Sequence, residues 1–135
     1  ESEYPCRITE FDMVVDSGGA GEFRGGVSFR RRYEVMQDCT VVRRYDRWKY
    51  PAPGAQGGKD GGASKFVIRA GTPDEEVTPS AGKFDLKAGQ FFYLESAGGG
   101  GFGDPGARDG DRLARDIEEG YVSEHAAREI YGSKA

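Results

Sequence analysis

Apolar and polar residues alternate from Tyr4 to Val15, the two-residue period of a half-buried strand. Tyr4, Cys6 and Ile8 occupy even positions, whereas Phe11, Met13 and Val15 occupy odd ones. A slip of one residue turns apolar side chains to the other face unless a bulge absorbs it. The pattern therefore predicts a bulge or bend near Glu10. Asp16-Ser17-Gly18-Gly19-Ala20-Gly21 reads as a turn or broad loop, Phe23 as an isolated anchor, and Arg24-Gly25-Gly26 as the end of the loop. Val27, Phe29, Arg31 and Tyr33 share one parity and open a second strand-like stretch that runs to Tyr50. Within it Met36-Gln37-Asp38 reads as a hairpin turn into the β-branched run Cys39-Thr40-Val41-Val42-Arg43.

From Pro51 to Ser64 the chain is poor in apolar residues and rich in glycine and proline. A structureless stretch of that length is uncommon in a compact domain. We expect it to be ordered by something, a second chain being one option. Lys65-Phe66-Val67-Ile68-Arg69 and the alternating Phe84 and Leu86 give two short strands, with an acidic loop (Gly71 to Glu76) and a turn (Thr78 to Gly82) between them. Phe91-Phe92-Tyr93-Leu94 has no polar face, so it should be covered on both sides. The tail reads differently. Leu113 and Ile117 lie four apart between Asp109 and Glu119, with Gly120 just beyond, the pattern of a short helix with a glycine stop. Tyr121-Val122 should pack back on it. Ser123 should cap a second short helix, with Ala126, Ala127 and Ile130 as its apolar stripe and Gly132 at its end. Helices this short need a surface to dock on, either the sheet or a partner. The predicted fold is mainly β (α+β). Antiparallel sheets form a sandwich or barrel-like body over residues 1–108, and residues 109–135 are a helical tail of the same domain.

Composition narrows the function. With 36% apolar and 31% charged residues, and no apolar run near the ~20 residues of a membrane span, the chain reads as soluble. A net charge of −4 argues against nucleic acid or an anionic membrane as partner. The acidic, polar N-terminus is not a secretory signal, and we expect a cytoplasmic protein. Cys6 and Cys39 read as buried, reduced thiols, with a single disulfide as the alternative. The Arg30, Arg31, Arg32, Arg43, Arg44 and Arg47 cluster reads either as a solvated face or as a patch for an acidic partner or anionic ligand. The lone His125 sits at the start of the last helix as a surface residue, and its spacing from Cys6 and Cys39 makes no zinc site. No Gly-x-Ser-x-Gly elbow or Ser-His-Asp set is present. Gly57-Gly58-Lys59-Asp60 lacks the spacing and the hydroxyl of a phosphate loop. The catalytic residues stay unknown, and the chain alone does not read as a complete catalyst.

Four consecutive glycines, Gly98 to Gly101, stand before Phe102-Gly103-Asp104-Pro105. Such a tract forfeits backbone entropy on folding, so it pays off only where a side chain cannot fit or φ must be positive. It lies against a ligand, another chain or a neighbouring strand, or it is a hinge between the β body and the tail.

Several blocks together carry a resemblance. They are Tyr4-Pro5-Cys6-Arg7-Ile8-Thr9-Glu10-Phe11, the Asp16 to Gly26 block, Asp46-Arg47, Pro53-Gly54 with Gly57-Gly58, Gly98 to Pro105, and Glu119-Gly120-Tyr121-Val122-Ser123 with Ala126-Ala127 and Tyr131-Gly132. In this order they resemble the C-terminal region of hydantoinase B-type proteins. That family includes the matching half of 5-oxoprolinase and large subunits of acetone and acetophenone carboxylases. Its members usually carry a large preceding region, which holds most of the metal and reaction centre. A separate small chain is similar to the small subunit of an acetophenone carboxylase. The resemblance then implies a subunit, inactive alone, of a biotin-independent, ATP-dependent carboxylase that acts on a ketone through a phosphorylated intermediate. The alternative is the C-terminal portion of an ATP-dependent hydantoinase, 5-oxoprolinase or lactamase subunit that opens a cyclic amide. A free-standing β-rich binding module is a further reading. On the first two readings the chain binds no cofactor or metal by itself. ATP and a divalent metal sit in hydantoinase A-like and hydantoinase B-like large subunits of a hetero-oligomer. Asp46, Arg47, Gly98, Gly99, Gly100, Gly101 and Asp104 are the candidates for a substrate or interface role, and Trp48, Tyr50 and Phe102 for partner contact.

Overall fold

A computed structural model describes residues 3–78 and 81–132. Among these residues seven strands form two antiparallel sheets. They are β1 (Cys6–Val14), β2 (Ser28–Val35), β3 (Cys39–Arg44), β4 (Lys65–Ile68), β5 (Glu76–Val77), β6 (Ala81–Leu86) and β7 (Phe91–Glu95). The larger sheet has the order β1-β2-β7-β4-β5, and the smaller pairs β3 with β6. The two layers make an open sandwich and not a closed barrel.

The phase slip in β1 is absorbed as predicted: the register against β2 shifts between Ile8 and Glu10. Phe11 and Met13 therefore share the face of Phe29, Arg31, Tyr33 and Val35 on β2. The same face carries Phe92 and Leu94 of β7 and Phe66 and Ile68 of β4. Part of it meets Cys39, Val41, Phe84 and Leu86 of the small sheet to form the main core around Val35, Phe66, Ile68 and Leu86. The opposite face of the large sheet is covered by charge laid on aromatic rings. Arg30 and Lys65 lie over Tyr93, and Arg32 lies over Phe91. This is how β7, the middle strand, is half-buried at every position along both faces.

The expected hairpin at Met36-Gln37-Asp38 is not formed, because β2 and β3 lie in different sheets. The chain leaving β2 is held in the first layer. Val35 N donates to Gln90 O at 2.9 Å, its carbonyl accepts from Gly89 N at 2.7 Å, and Met36 N donates to Pro5 O at 2.8 Å. The turn crosses layers and is pinned there by Asp38, whose carboxylate takes Ala88 N and Lys87 Nζ.

Three glycine-rich segments (16–26, 51–62 and 97–103) run side by side outside the sheets as a bundle of extended passes. Gly19 N donates to Gly99 O, Gly99 N to Gly26 O, Gly98 N to Gly62 O, Gly62 N to Ser17 O, Gly101 N to Lys59 O and Lys59 N to Ala20 O, all at 2.7–2.9 Å. Gly98 to Gly101 have no positive φ. Their glycines are required by close approach: a Cβ on Gly98, Gly100 or Gly101 would land on the carbonyl oxygen of Ser17, Pro53 or Ala20. The tract is thus a packed element against the chain's own backbone, and the loop from Pro51 to Ser64 is ordered by the same contacts.

The tail follows its sequence pattern. A 3₁₀ turn (Pro105–Ala107) leads to α1 (Gly110–Glu118), with Asp109 as N-cap and Gly120 at φ +74° past the end. Ser123 caps α2 (Glu124–Glu129), accepting from Ala126 N, and Gly132 follows at φ +69°. The helices pack on the glycine bundle. Leu113, Val122, Ala126, Ala127 and Tyr131 close on Ala20 of the glycine bundle as a second core. Ile130, expected in the apolar stripe, is 46% exposed. This second core is stapled by charge: buried Asp116 lies between the half-buried Arg24, 3.2 Å away, and Arg108, 2.6 Å away.

Candidate functional site

A cavity of about 540 Å³ opens between the two sheets. Four aromatic rings line it as a ladder that crosses the strands. Tyr33 stacks on Phe92 at 4.8 Å, Phe92 on Phe66 at 5.6 Å, and Phe66 on Tyr45 at 6.1 Å. Strand alternation puts Arg43 on the inner face of β3 with Cys39 and Val41. Its guanidinium is buried over Phe84, Phe66 and Tyr45, at 4.4, 5.4 and 5.7 Å. It pairs with no described carboxylate. Desolvation weakens its hold on the proton. Burial likewise holds the Tyr45 phenol above its usual range, and its hydroxyl donates to Thr78 O at 2.7 Å. Asp46, Lys65 and Glu95 add charge to the lining. Such a cleft can hold an apolar group, but among its described lining residues no hydroxyl is hydrogen-bonded to a side-chain base: Ser64 Oγ donates to Asp46 O, Tyr45 Oη to Thr78 O, and Ser96 Oγ accepts from Phe29 N. The Cys39 thiol, held by burial above its ordinary pKa, is not activated.

The sequence-derived candidates fall into three places. Asp46 and Arg47 form a turn under the cavity: Asp46 Oδ1 accepts from Arg47 N at 2.7 Å, and Ser64 Oγ donates to Asp46 O. Arg47 has φ +58°. Trp48 and Tyr50 follow on the surface, 43% and 74% exposed, with Lys49 over the Tyr50 ring. Gly98, Gly99, Gly100 and Gly101 lie inside the glycine bundle, and Asp104 caps the 3₁₀ turn by accepting from Gly106 N at 2.9 Å. Phe102 bridges to Phe23 and Ala55, its ring 6.4 Å from that of Phe23, and both rings are half-exposed. The candidates therefore do not converge on one centre. Sequence reasoning missed Arg43 as a cavity residue and the Arg24–Asp116–Arg108 staple. The signal for Arg43 was present, since it continues the inward parity of Cys39 and Val41. The staple joins residues 92 positions apart and left no local trace.

The glycine tract is not an open phosphate cradle. The amides of Gly98, Gly99 and Gly101, which a phosphate would need, already donate to the chain's own carbonyls. Among the described residues no three His, Cys, Asp or Glu side chains group as ligands. Nor, among them, is any helix long and apolar enough to cross a membrane.

A two-layer β module tied to a glycine bundle, without a converging catalytic set, is the class of protein that fold and site define. The chain belongs to the hydantoinase B/oxoprolinase family, whose model matches residues 1–105. It is similar to the caprolactamase subunit beta of Pseudomonas jessenii, 32% identical over 98% of this chain and 24% of that one. In structure it resembles the ATP-dependent caprolactamase from the same organism, with a TM-score of 0.80 and 26% identity over 97% of this chain and 24% of that one. Acetone carboxylase shares the fold, with a TM-score of 0.76 at 23% identity over 95% of this chain and 21% of that one. The chain spans about a quarter of the length of curated relatives that it matches over nearly its whole length.

Proposed function

We propose that this chain is a non-self-sufficient unit of a soluble, cytoplasmic ATP-dependent enzyme that opens a cyclic amide. It completes a hydantoinase B-type subunit that works with a hydantoinase A-like partner. The observation that carries the reading is the 32% identity to a caprolactamase beta subunit across nearly the whole chain. The chemistry has a clear need for ATP. Amide resonance makes the ring carbonyl a poor electrophile, and transfer of the γ-phosphoryl group to the amide oxygen removes that resonance. Water then adds at carbon and the C–N bond breaks, leaving an acyl phosphate; a second water cleaves this to the carboxylate, so an amino acid, ADP and phosphate result. On this reading ATP and the divalent metal belong to the partner chains; the amides of Gly98, Gly99 and Gly101, already donating to this chain's own carbonyls, support it for the nucleotide. Its own contribution is a rigid frame whose surface loops, with Asp46, Arg47, Trp48, Tyr50 and Phe102, face the shared site or the partners.

Carboxylation of a ketone through a phosphorylated intermediate, as in an acetophenone carboxylase-type complex, is the second reading. The fold shared with acetone carboxylase favours it. Reconstitution with the large subunits tests both. Lactam- or hydantoin-dependent ATP hydrolysis is expected only in the full complex. ATP hydrolysis driven by ketone and bicarbonate instead would select the second reading. Lactam-dependent turnover by this chain alone would overturn both.

A further inference from the structure

The small sheet covers only part of the inner face of the large one. At the β1 end, Phe11, Met13 and Val15 are 63%, 54% and 47% exposed. β1 is also an outer strand of its sheet. Phe11 and Phe29 meet edge to face at 5.6 Å, and the Arg31 guanidinium lies 4.6 and 5.4 Å from their rings. Arg31 Nη1 donates to Tyr33 Oη at 3.2 Å, but its Nε is buried without an acceptor. Arg31 makes no ion pair with a described carboxylate, whereas Arg30 on the opposite face is held by Glu10 and Glu95. A sheet face with clustered, half-exposed aromatic and aliphatic side chains calls for a covering layer. A guanidinium laid on two rings, with no ion pair to a described carboxylate, is a ready partner for an incoming carboxylate.

We propose that this open half-face, centred on Phe11, Phe29 and Arg31, is the docking surface for the remaining part of a hydantoinase B-type polypeptide. That part seats apolar side chains on the two rings and a carboxylate against Arg31. Length supports the occupant: this fold accounts for about a quarter of its relatives, so most of their polypeptide is additional. Charge supports it too, because the patch offers a cation that no described residue neutralises. The inference rests on the function proposed above.

The test is co-expression with the polypeptide that carries the rest of the family sequence from the same organism, followed by affinity measurement. The double variant Phe11→Glu/Met13→Glu alters only side chains that are more than half exposed, so its thermal midpoint should stay near that of the unchanged chain. Its affinity should fall by at least about 30-fold, the loss of a binding hot spot. Val42→Glu, at a position 62% exposed on the outer face of the small sheet, should bind normally. Unaltered binding of the double variant, with the unchanged chain bound, overturns this inference alone. Failure of the unchanged chain to bind removes the proposed function and this inference with it. An isolated chain that dimerises until the double variant is introduced would make the occupant a second copy, and the proposal would fall.

Discussion

Substituting Gly98 by alanine asks whether the glycine bundle is a packed element. The new Cβ would stand 1.8 Å from the Ser17 carbonyl oxygen and 3.0 Å from Gly62 N. Opening the first distance to a tolerable 3.0 Å needs a shift of about 1.2 Å. Ser17 is poorly placed to yield. Its carbonyl accepts from Gly62 N at 2.7 Å, its Oγ accepts from Ser28 N at 2.7 Å, and that hydroxyl donates to Val14 O. A movement of this size breaks the Gly62–Ser17 bond and the neighbouring Gly98–Gly62 bond, at about 1 kcal/mol each. Overpacking adds roughly 1–3 kcal/mol. The stiffer unfolded chain returns about 0.4–1 kcal/mol. The expected net loss is therefore about 2–4 kcal/mol. At roughly 3–4 °C per kcal/mol for a chain of this length, the thermal midpoint should drop by about 10 °C. Gly26→Ala is the matched control. A Cβ there meets nothing within 4 Å, and the φ is ordinary, so stability should stay level or rise slightly. Urea denaturation of both variants measures the difference. Midpoints that agree for the two would refute the packed-bundle account and restore the hinge.

Two further outcomes rest on the second core. Asp116→Asn leaves the largely covered Arg24 and Arg108 side chains without their shared counter-charge, and should cost about 3 kcal/mol in urea denaturation; a loss under about 1 kcal/mol would show that the staple is idle. Burial, the leading cause, raises the Tyr131 phenol above its ordinary pKa of 10.0, so the folded chain keeps a proton that the unfolded chain gives up. Its contribution is whole below pH 10.0 and is lost as pH climbs through the raised value, so Tyr131→Phe should flatten the alkaline fall in the urea midpoint.

Much of the fold was legible because its signals are local. The parity slip at Glu10 fixes a bulge, and Asp109, Gly120, Ser123 and Gly132 mark helix ends through capping chemistry that needs no tertiary knowledge. Strand pairing was less legible. Met36-Gln37-Asp38 has the composition of a hairpin turn, yet Val35 is tied to Gln90 and Gly89, far along the chain, and those bonds send β3 to the other layer. β5 was missed because two residues, Glu76 and Val77, carry no periodicity. The arginine cluster was read as one patch, but strand alternation divides it. Arg30 and Arg32 go to one face, Arg31 to the other, and Arg43 into the core.

The glycine tracts show why composition alone could not separate a ligand cradle from a structural element. Both need bare backbone, but they differ in where the amides go. A cradle leaves consecutive N–H groups free to converge on an anion, whereas here the amides of Gly19, Gly62, Gly98, Gly99 and Gly101 are each matched to a carbonyl of a neighbouring pass. The glycines are selected by interchain-like closeness within one chain. It follows that loss of activity on substituting these glycines in an assembled enzyme would report a disturbed frame, and would be accompanied by a lower unfolding midpoint. A substitution at Asp46 or Arg47, on a surface turn beside the cavity, can instead lower activity with the midpoint unchanged. Measuring stability beside turnover thus separates the frame from the site, and on this geometry the tract belongs to the frame.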